Sequence, residues 1–308
     1  MKTLFPLSAV MLSVTKYYER LKVDPSTLDT QPSITKLQHL QESHLEHIPF
    51  ENLAQHGCAG GPVVLDLETT AAKILDRRRG GFCLELNPLF GTFLRQIGYH
   101  VGFVLAHVYT PDGYREDPTH VFMVVQCQDD KETNTSGTYF VDVGFGEPSL
   151  HPLDYTKFGV EQETPEGMKS KIVRDGDHVE LYWLKDGSWL PRLKWSYEKS
   201  QSSVEIHDME SELAIVLAPE SIFSKKIITT RLTRTSKSTL AGSRFKITGP
   251  PRIQDDGSQG PKETQRLASV ADVQFFLEEK FGIPVSETQG LSLEKSNSAE
   301  NEAVWSQF

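Results

Sequence analysis

Apolar positions recur at helical spacing through the first hundred residues and at strand-like spacing after that. Ser13 can cap a helix carrying Tyr17, Tyr18 and Leu21, which ends before Asp24-Pro25. Pro32-Ser33 opens a second stripe of Ile34, Leu37, Leu40, Leu45 and Ile48 that stops at Pro49. Asp66 suits the N-cap of a third helix, with Leu67, Ala71, Ile74 and Leu75 on one face. A fourth stripe, Leu86, Leu89, Phe90, Phe93, Leu94 and Ile97, closes at Gly98.

The period then changes. The segments 101–110, 120–128 and 138–145 are rich in valine, phenylalanine and tyrosine and are parted by turn-forming or polar residues. Segments 178–184 and 188–197 flank Lys185-Asp186-Gly187, a hairpin signal. The middle third is therefore mostly antiparallel β. The last third is mixed. Strands are predicted over 221–233 and 243–248, a loop over 249–263 and an amphipathic helix over Val270–Phe281; the polar tail beyond Glu287 is expected to be loosely held.

Composition narrows the classes. The 308 residues are 38% hydrophobic and 24% charged, enough apolar material for a real core. A net charge of -10 argues against a general nucleic-acid or anionic-membrane surface, because phosphate backbones need a basic footprint. The three cysteines, Cys58, Cys83 and Cys127, form no CxxC and make an odd count. That suggests no disulfide framework or zinc site, and a reducing, cytoplasmic setting is expected. No apolar run is long enough for a membrane span. The start, MKTLFPLSAVMLSV, imitates a signal peptide but lacks an A-x-A site and is broken by Pro6; Met11 is an alternative start.

Candidate chemistry centres on RRRGGFCLELNP, Arg77 to Pro88. A lone cysteine is more often a small buried thiol than a nucleophile, and Cys127 and Cys58 suit that reading. Cys83 differs. It follows Gly80-Gly81, which let backbone turn tightly and substrate approach, and it stands where a helix begins. Pro88 complicates the picture. Either the helix kinks there, or Cys83 lies in a short turn and the helix starts at Pro88. A thiolate needs a base. His39, His44 and His47 read as solvated, but His120 opens an apolar strand after a turn, at a rim where sites are built. Asp142 is a lone acid in the apolar strand Tyr139 to Val143, and a buried acid needs a partner such as an imidazole.

Together these pieces resemble the arylamine N-acetyltransferase family. Its R-G-G-x-C-x-E-x-N pattern is matched without a gap from Arg79 to Asn87, and HIPFENL (47–53) resembles its I-P-F-E-N-L segment. THVFMVV and FVDVGFG match its histidine and aspartate strands, in the order Cys, His, Asp. PESIFSKK (219–226) and EEKFGI (278–283) resemble segments of its third part, and the likeness runs from about residue 17 to 285. The resemblance implies an α+β fold in three parts: a helical bundle (1–100) carrying the nucleophile, an antiparallel β-barrel (101–204) carrying histidine and aspartate, and an α/β lid (205–308). It implies a papain-like Cys83, His120, Asp142 triad, without papain's own signature.

The activity so implied is ping-pong acyl transfer from acetyl-CoA, a co-substrate rather than a bound cofactor, to an arylamine, hydrazine or heterocyclic amine. No metal, nucleic acid or membrane is involved, and the chain is expected to be a monomer. Backbone N–H groups, that of Cys83 included, would hold the oxyanion. Family positions place Phe145, Phe103 and Val104 in the acceptor pocket and Thr119 and Ser221 near CoA. Arg79 and Glu85 are expected to form an ion pair bracing the cysteine loop, and Asn87 to fix backbone. Lys225, Lys226, Arg231 and Arg234 form a basic run that either is solvated or faces the CoA phosphates. The alternatives are a cysteine hydrolase or amidase using the same triad, a malonyl-CoA or propionyl-CoA donor, and a binding protein that retains the fold without activity.

Overall fold

The computed structural model describes residues 11–59, 61–130, 135–185, 187–249 and 263–294. The first third is helical: α1 (Val14–Leu21), α2 (Ile34–His47), α3 (Leu67–Ala71) and α4 (Cys83–Gln96). The predicted caps are in place. Ser13, Ser33 and Asp66 each accept a backbone N–H three residues on, from Lys16, Lys36 and Thr69. A single π turn, Ala72–Asp76, extends α3.

One short strand interrupts these helices, β1 (Phe50–Glu51). The strands β2 (His100–Thr110), β3 (Gly113–Tyr114), β4 (His120–Asp130), β5 (Thr135–Val141), β6 (Leu153–Asp154), β7 (Gln162–Glu163), β8 (Lys169–Asp175), β9 (His178–Lys185) and β10 (Ser188–Ser196) follow. They form one antiparallel sheet in the order β6-β5-β4-β2-β10-β9-β8-β7, with β3 paired to β2. Phe140 and Leu153 near one end of this sheet share a core cluster with Ile172 and Leu181 near the other. The sheet thus rolls into a nearly closed barrel around Phe122, Leu193 and Trp195. Alternation along β2 and β4 serves two cores. Val104, Ala106 and Phe122 point into the barrel, while Val101, Phe103, Val121 and Met123 pack in the core that contains α4.

The last third holds the short helices α5 (Tyr197–Ser200), α6 (Glu210–Leu217) and α7 (Ile222–Lys225). After them come β11 (Ile228–Leu232), β12 (Lys237–Ala241), β13 (Arg244–Thr248), β14 (Glu263–Arg266) and α8 (Val270–Phe281). The four strands follow β1 in a second antiparallel sheet, so a two-residue strand from the helical third is its edge. Val273, Leu277 and Phe281 of α8 pack on Ile227, Leu240 and Phe245 of that unit.

Several expectations are corrected. The strand predicted over 221–233 is a helix followed by a strand, because Ser221 accepts the Phe223 N–H and starts a helical turn. Asp142 lies just beyond β5 rather than within it. His44 is not solvated. It is fully buried, with its Nδ1 3.1 Å from the Tyr17 hydroxyl, and burial, with Arg20 nearby, holds its imidazole down at about 3. The segment after Glu287 is packed as far as it is described, with Thr288 and Leu291 buried and the Ser292 N–H donating to the His56 carbonyl. The signal-like start, most of the loop expected at 249–263 and the tail from 295 lie outside the described residues. Among the described residues no helix is long and apolar enough to cross a membrane.

Candidate active site

The loop before α4 is built from buried charges. Arg79 and Glu51 are both fully buried. Arg79 Nε donates to Glu51 Oε1 at 2.9 Å and Nη2 to Oε2 at 3.1 Å, a fork of the kind guanidinium and carboxylate favour. Arg79 therefore does not pair with Glu85, as expected from proximity in sequence. Glu85 pairs with Lys73 at 2.7 Å, and its Oε2 reaches back to accept the Phe82 N–H at 3.3 Å. Burial pushes Glu51 up, but Arg79 and Lys73 outweigh it and hold the carboxyl at about 2. Glu85 goes the other way: burial raises it, and Lys73 only partly offsets that.

The double glycine also has a different reason from the one expected. A Cβ on Gly80 would lie 1.8 Å from the Pro49 carbonyl oxygen. The Glu51 N–H donates to the Gly81 carbonyl at 2.8 Å. The glycines let the cysteine loop lie directly on the strand carrying Glu51.

Cys83 is the first residue of α4, with Phe82 as N-cap, and the helix runs on through Pro88. Of the two geometries left open by Pro88, the short turn at Cys83 followed by a helix from Pro88 is not found, because one helix spans both residues. The proline forgoes one N–H bond, to Leu84, within a helix that is buried over its first twelve residues. The sulfur thus sits at a helix N-terminus, where the partial positive charge favours an anion.

The structure brings Cys83, His120 and Asp142 together. His120 Nε2 is 2.7 Å from Asp142 Oδ2, and the Cys83 sulfur is near enough to favour the protonated imidazole. With Nε2 facing the carboxylate, Nδ1 is the nitrogen left for sulfur. All three side chains are nearly closed to solvent, Cys83 at 5% and the other two at 2%. Burial alone would depress His120, but the Asp142 carboxylate and the Cys83 sulfur outweigh it and lift the imidazole to about 10. The site therefore holds an imidazolium across the neutral range.

Asn87, expected to fix backbone, does more. Its Nδ2 donates to Asp142 Oδ1 at 2.9 Å and to the Val121 carbonyl at 2.7 Å, and its Oδ1 accepts the Val143 N–H at 2.9 Å. One amide on α4 thus ties the start of β4 to the loop after β5 and aims the carboxylate. Gly144 adds a contact that no local pattern announces. A Cβ there would lie 2.6 Å from Cys83 Cα.

The remaining candidates separate. Phe145 meets the His120 ring edge to face, with centroids 4.9 Å apart. Val104 lies in the barrel core against which Phe145 packs. Phe103, one residue earlier, points to the opposite face, under α4, with Arg95 4.7 Å from its ring centroid. Phe103 and Val104 thus face opposite sides of β2. Thr119 reaches the site through its carbonyl, 3.7 Å from the Cys83 sulfur. The Ser221 hydroxyl caps α7. That helix places Phe223 5.7 Å from Phe82, beside the cysteine. Asn52 pins it there, donating to the Phe223 and Lys226 carbonyls at 2.8 and 2.7 Å and accepting the Ile228 N–H at 2.7 Å. In the basic run, Lys226 is buried, whereas Arg234 stays largely exposed while pairing with Glu42. Among the described residues no group of His, Cys, Asp and Glu could hold a metal.

The N-acetyltransferase family model matches residues 33–290. A pineal-gland arylamine N-acetyltransferase isozyme of Gallus gallus is 34% identical over 137 residues, 44% of this chain and 43% of that protein; that match spans less than half of the relative's length. The arylamine N-acetyltransferase of Mycobacterium bovis is 29% identical over 90% of this chain and 91% of its own length. The solved arylamine N-acetyltransferase of M. tuberculosis superposes with a TM-score of 0.75 at 27% identity, covering 91% of this chain and all of that one. The Mycobacterium marinum enzyme in complex with CoA gives the same score and identity over 92% of this chain and 96% of its own.

Proposed function

The chain belongs to the arylamine N-acetyltransferase family, and from that membership we propose that it moves an acyl group from acetyl-CoA to an aromatic amine through an acyl-cysteine on Cys83. Acetyl-CoA is the co-substrate of this family. The observation that carries the proposal is the contact chain from Cys83 to the His120 imidazole to Asp142, closed at 2.7 Å on the carboxylate side.

In the first half-reaction the Cys83 sulfur attacks the thioester carbonyl carbon while its proton resides on His120. The carbonyl oxygen becomes an oxyanion. The Cys83 and Leu84 N–H groups, at the start of α4, have no hydrogen-bond partner among the described residues. They are the donors we assign to that oxyanion. Collapse expels CoA as thiolate, which takes the His120 proton. In the second half the amine nitrogen attacks the acyl-cysteine, His120 accepts the amine proton, and Cys83 leaves as thiolate, restoring the imidazolium pair. Asp142 holds the imidazole in the tautomer and orientation that both halves need. Phe145 and Val104 form the apolar side of the acceptor site. The last third, residues 205–308, acts as a lid, with Thr119 and Ser221 on the CoA side. Three free cysteines suit a reducing cytoplasmic compartment.

Initial rates at crossed acetyl-CoA and arylamine concentrations test the scheme. Parallel double-reciprocal lines, with CoA as a product inhibitor competitive against the amine, are expected. Converging lines, or release of acetate as the only product, would replace it with a ternary-complex or a hydrolytic mechanism.

A further inference from the structure

Beside the triad lies a cation without a partner. Arg192 stands at a β-bulge in β10, where the register with β9 shifts between Pro191 and Leu193. A bulge re-aims a side chain, and this one turns the guanidinium onto two aromatic rings. Its Cζ is 4.0 Å from the Trp183 ring centroid and 4.8 Å from that of Phe145. Phe145 is the ring that meets His120 edge-on at 4.9 Å. Among the described residues Arg192 has no hydrogen bond and no ion pair. Its Nε is a buried donor with nothing to bond, and so is the indole Nε1 of Trp183.

Buried donors are normally satisfied, so two orphans in one cluster are a sign of an absent acceptor. The surrounding charge points the same way. Glu147, on the loop after Phe145, is paired with Lys237 and also feels Lys185 and Arg192. Three cations there face one carboxylate. A guanidinium between aromatic walls is the geometry for a flat, two-oxygen anion, which it can bind with parallel hydrogen bonds. The place is next to His120, where the acyl group and the amine must meet, so the anion belongs to one of those two groups.

We propose that Arg192, with the Trp183 indole N–H, is a carboxylate-binding subsite that makes this enzyme selective for a substrate bearing a carboxylate, on the acyl group of the thioester or on the acceptor amine. The proposal deepens the acyltransferase reading and rests on it for its kinetic arm. Each source has its own comparison, measured as kcat/KM on the full chain. Malonyl-CoA against acetyl-CoA, with the neutral amine p-anisidine, reads the donor. p-Aminobenzoate against p-aminobenzamide, with acetyl-CoA, reads the acceptor. The carboxylate-to-neutral ratio is expected to fall about 10- to 100-fold in Arg192→Gln on one of the two arms, the arm naming the source. Arg192→Lys, which keeps the charge and loses the fork, and Trp183→Phe should each give part of that fall. Independently of turnover, calorimetric titration with benzoate and benzamide should show a benzoate preference that Arg192→Gln removes. Ratios unchanged on both arms, or benzoate binding indifferent to Arg192, would overturn the subsite. Should no CoA thioester acylate Cys83, the acyltransferase reading fails, and the benzoate titration alone still decides the subsite.

Discussion

Replacing Glu51 with glutamine removes the charge that holds Arg79, and the consequence can be sized in two ways. Glu51 accepts both Arg79 bonds and also the N–H groups of Leu53 at 2.6 Å and Gly80 at 3.3 Å. Lys73 lies 3.9 Å from Glu51 and 2.7 Å from Glu85, so two cations face two carboxylates in this cluster. Glutamine leaves one buried cation uncompensated. Breaking a buried pair from one side costs about 3–5 kcal/mol. Independently, the fall of the Glu51 carboxyl from 4.5 to about 2 corresponds to about 3 kcal/mol at ~1.36 kcal/mol per pH unit. Because the folded value is depressed, this stabilisation is present above pH 4.5 and is lost as pH falls through about 2. Urea unfolding of wild type, Glu51→Gln and the apolar double variant Glu51→Leu/Arg79→Met measures it. Glu51→Gln should lose about 3–5 kcal/mol at neutral pH, with the gap to wild type narrowing on acidification. The double variant should be more stable than Glu51→Gln, since no orphan charge remains at Arg79. A Glu51→Gln loss under about 1 kcal/mol, within the range of a surface pair, would refute the reasoning. So would a gap that does not change with pH.

Asn87→Ala removes its bonds to the Val121 carbonyl, the Val143 N–H and Asp142 Oδ1, the last keeping only the Gly144 N–H at 2.8 Å, and should cost about 1–3 kcal/mol together with a large fall in kcat; thermal unfolding and steady-state rates check both. The His120 imidazole, lifted to about 10, should stabilise the fold fully below pH 6.5 and lose that contribution as pH rises through 10. Asp142→Asn removes much of the lift, so its stability deficit should be largest below pH 6.5 and shrink in alkali, read from melting temperatures across that range. Gly144→Ala puts a Cβ 2.6 Å from Cys83 Cα; the crowding should cost about 1–3 kcal/mol and most of the activity, since it displaces the nucleophile itself.

Much of this site was legible because its signals are local. Ser13, Ser33 and Asp66 each accept the backbone N–H expected of a cap. The residues that meet at the centre, Cys83, His120 and Asp142, stand out in sequence as a thiol after glycines, an imidazole opening a strand and an acid in an apolar run. What failed was partner choice across distance. Arg79 was given the glutamate six residues away, yet its partner comes from β1, whose position depends on pairing with β11. The Gly80-Gly81 pair was read as a turn, but its requirement is a backbone, Pro49, from another segment. Pro88 leaves a kink or a helix start open in the sequence, and a first turn tied down by Glu85 and buried in the core lets one helix run through it. Arg192 is silent in the sequence, because a bulge and two orphan donors leave no mark on a hydrophobic pattern.

Cys83 as acyl carrier is the central claim, and peptide mass mapping after brief exposure to acetyl-CoA alone tests it most directly. The account predicts an acetyl increment on the Cys83 peptide and on neither the Cys58 nor the Cys127 peptide, absent in Cys83→Ala and strongly reduced in His120→Ala. Addition of an arylamine should clear it with formation of the acetylated amine. An unmodified Cys83 under conditions where the enzyme turns over, or full turnover by Cys83→Ala, would contradict it.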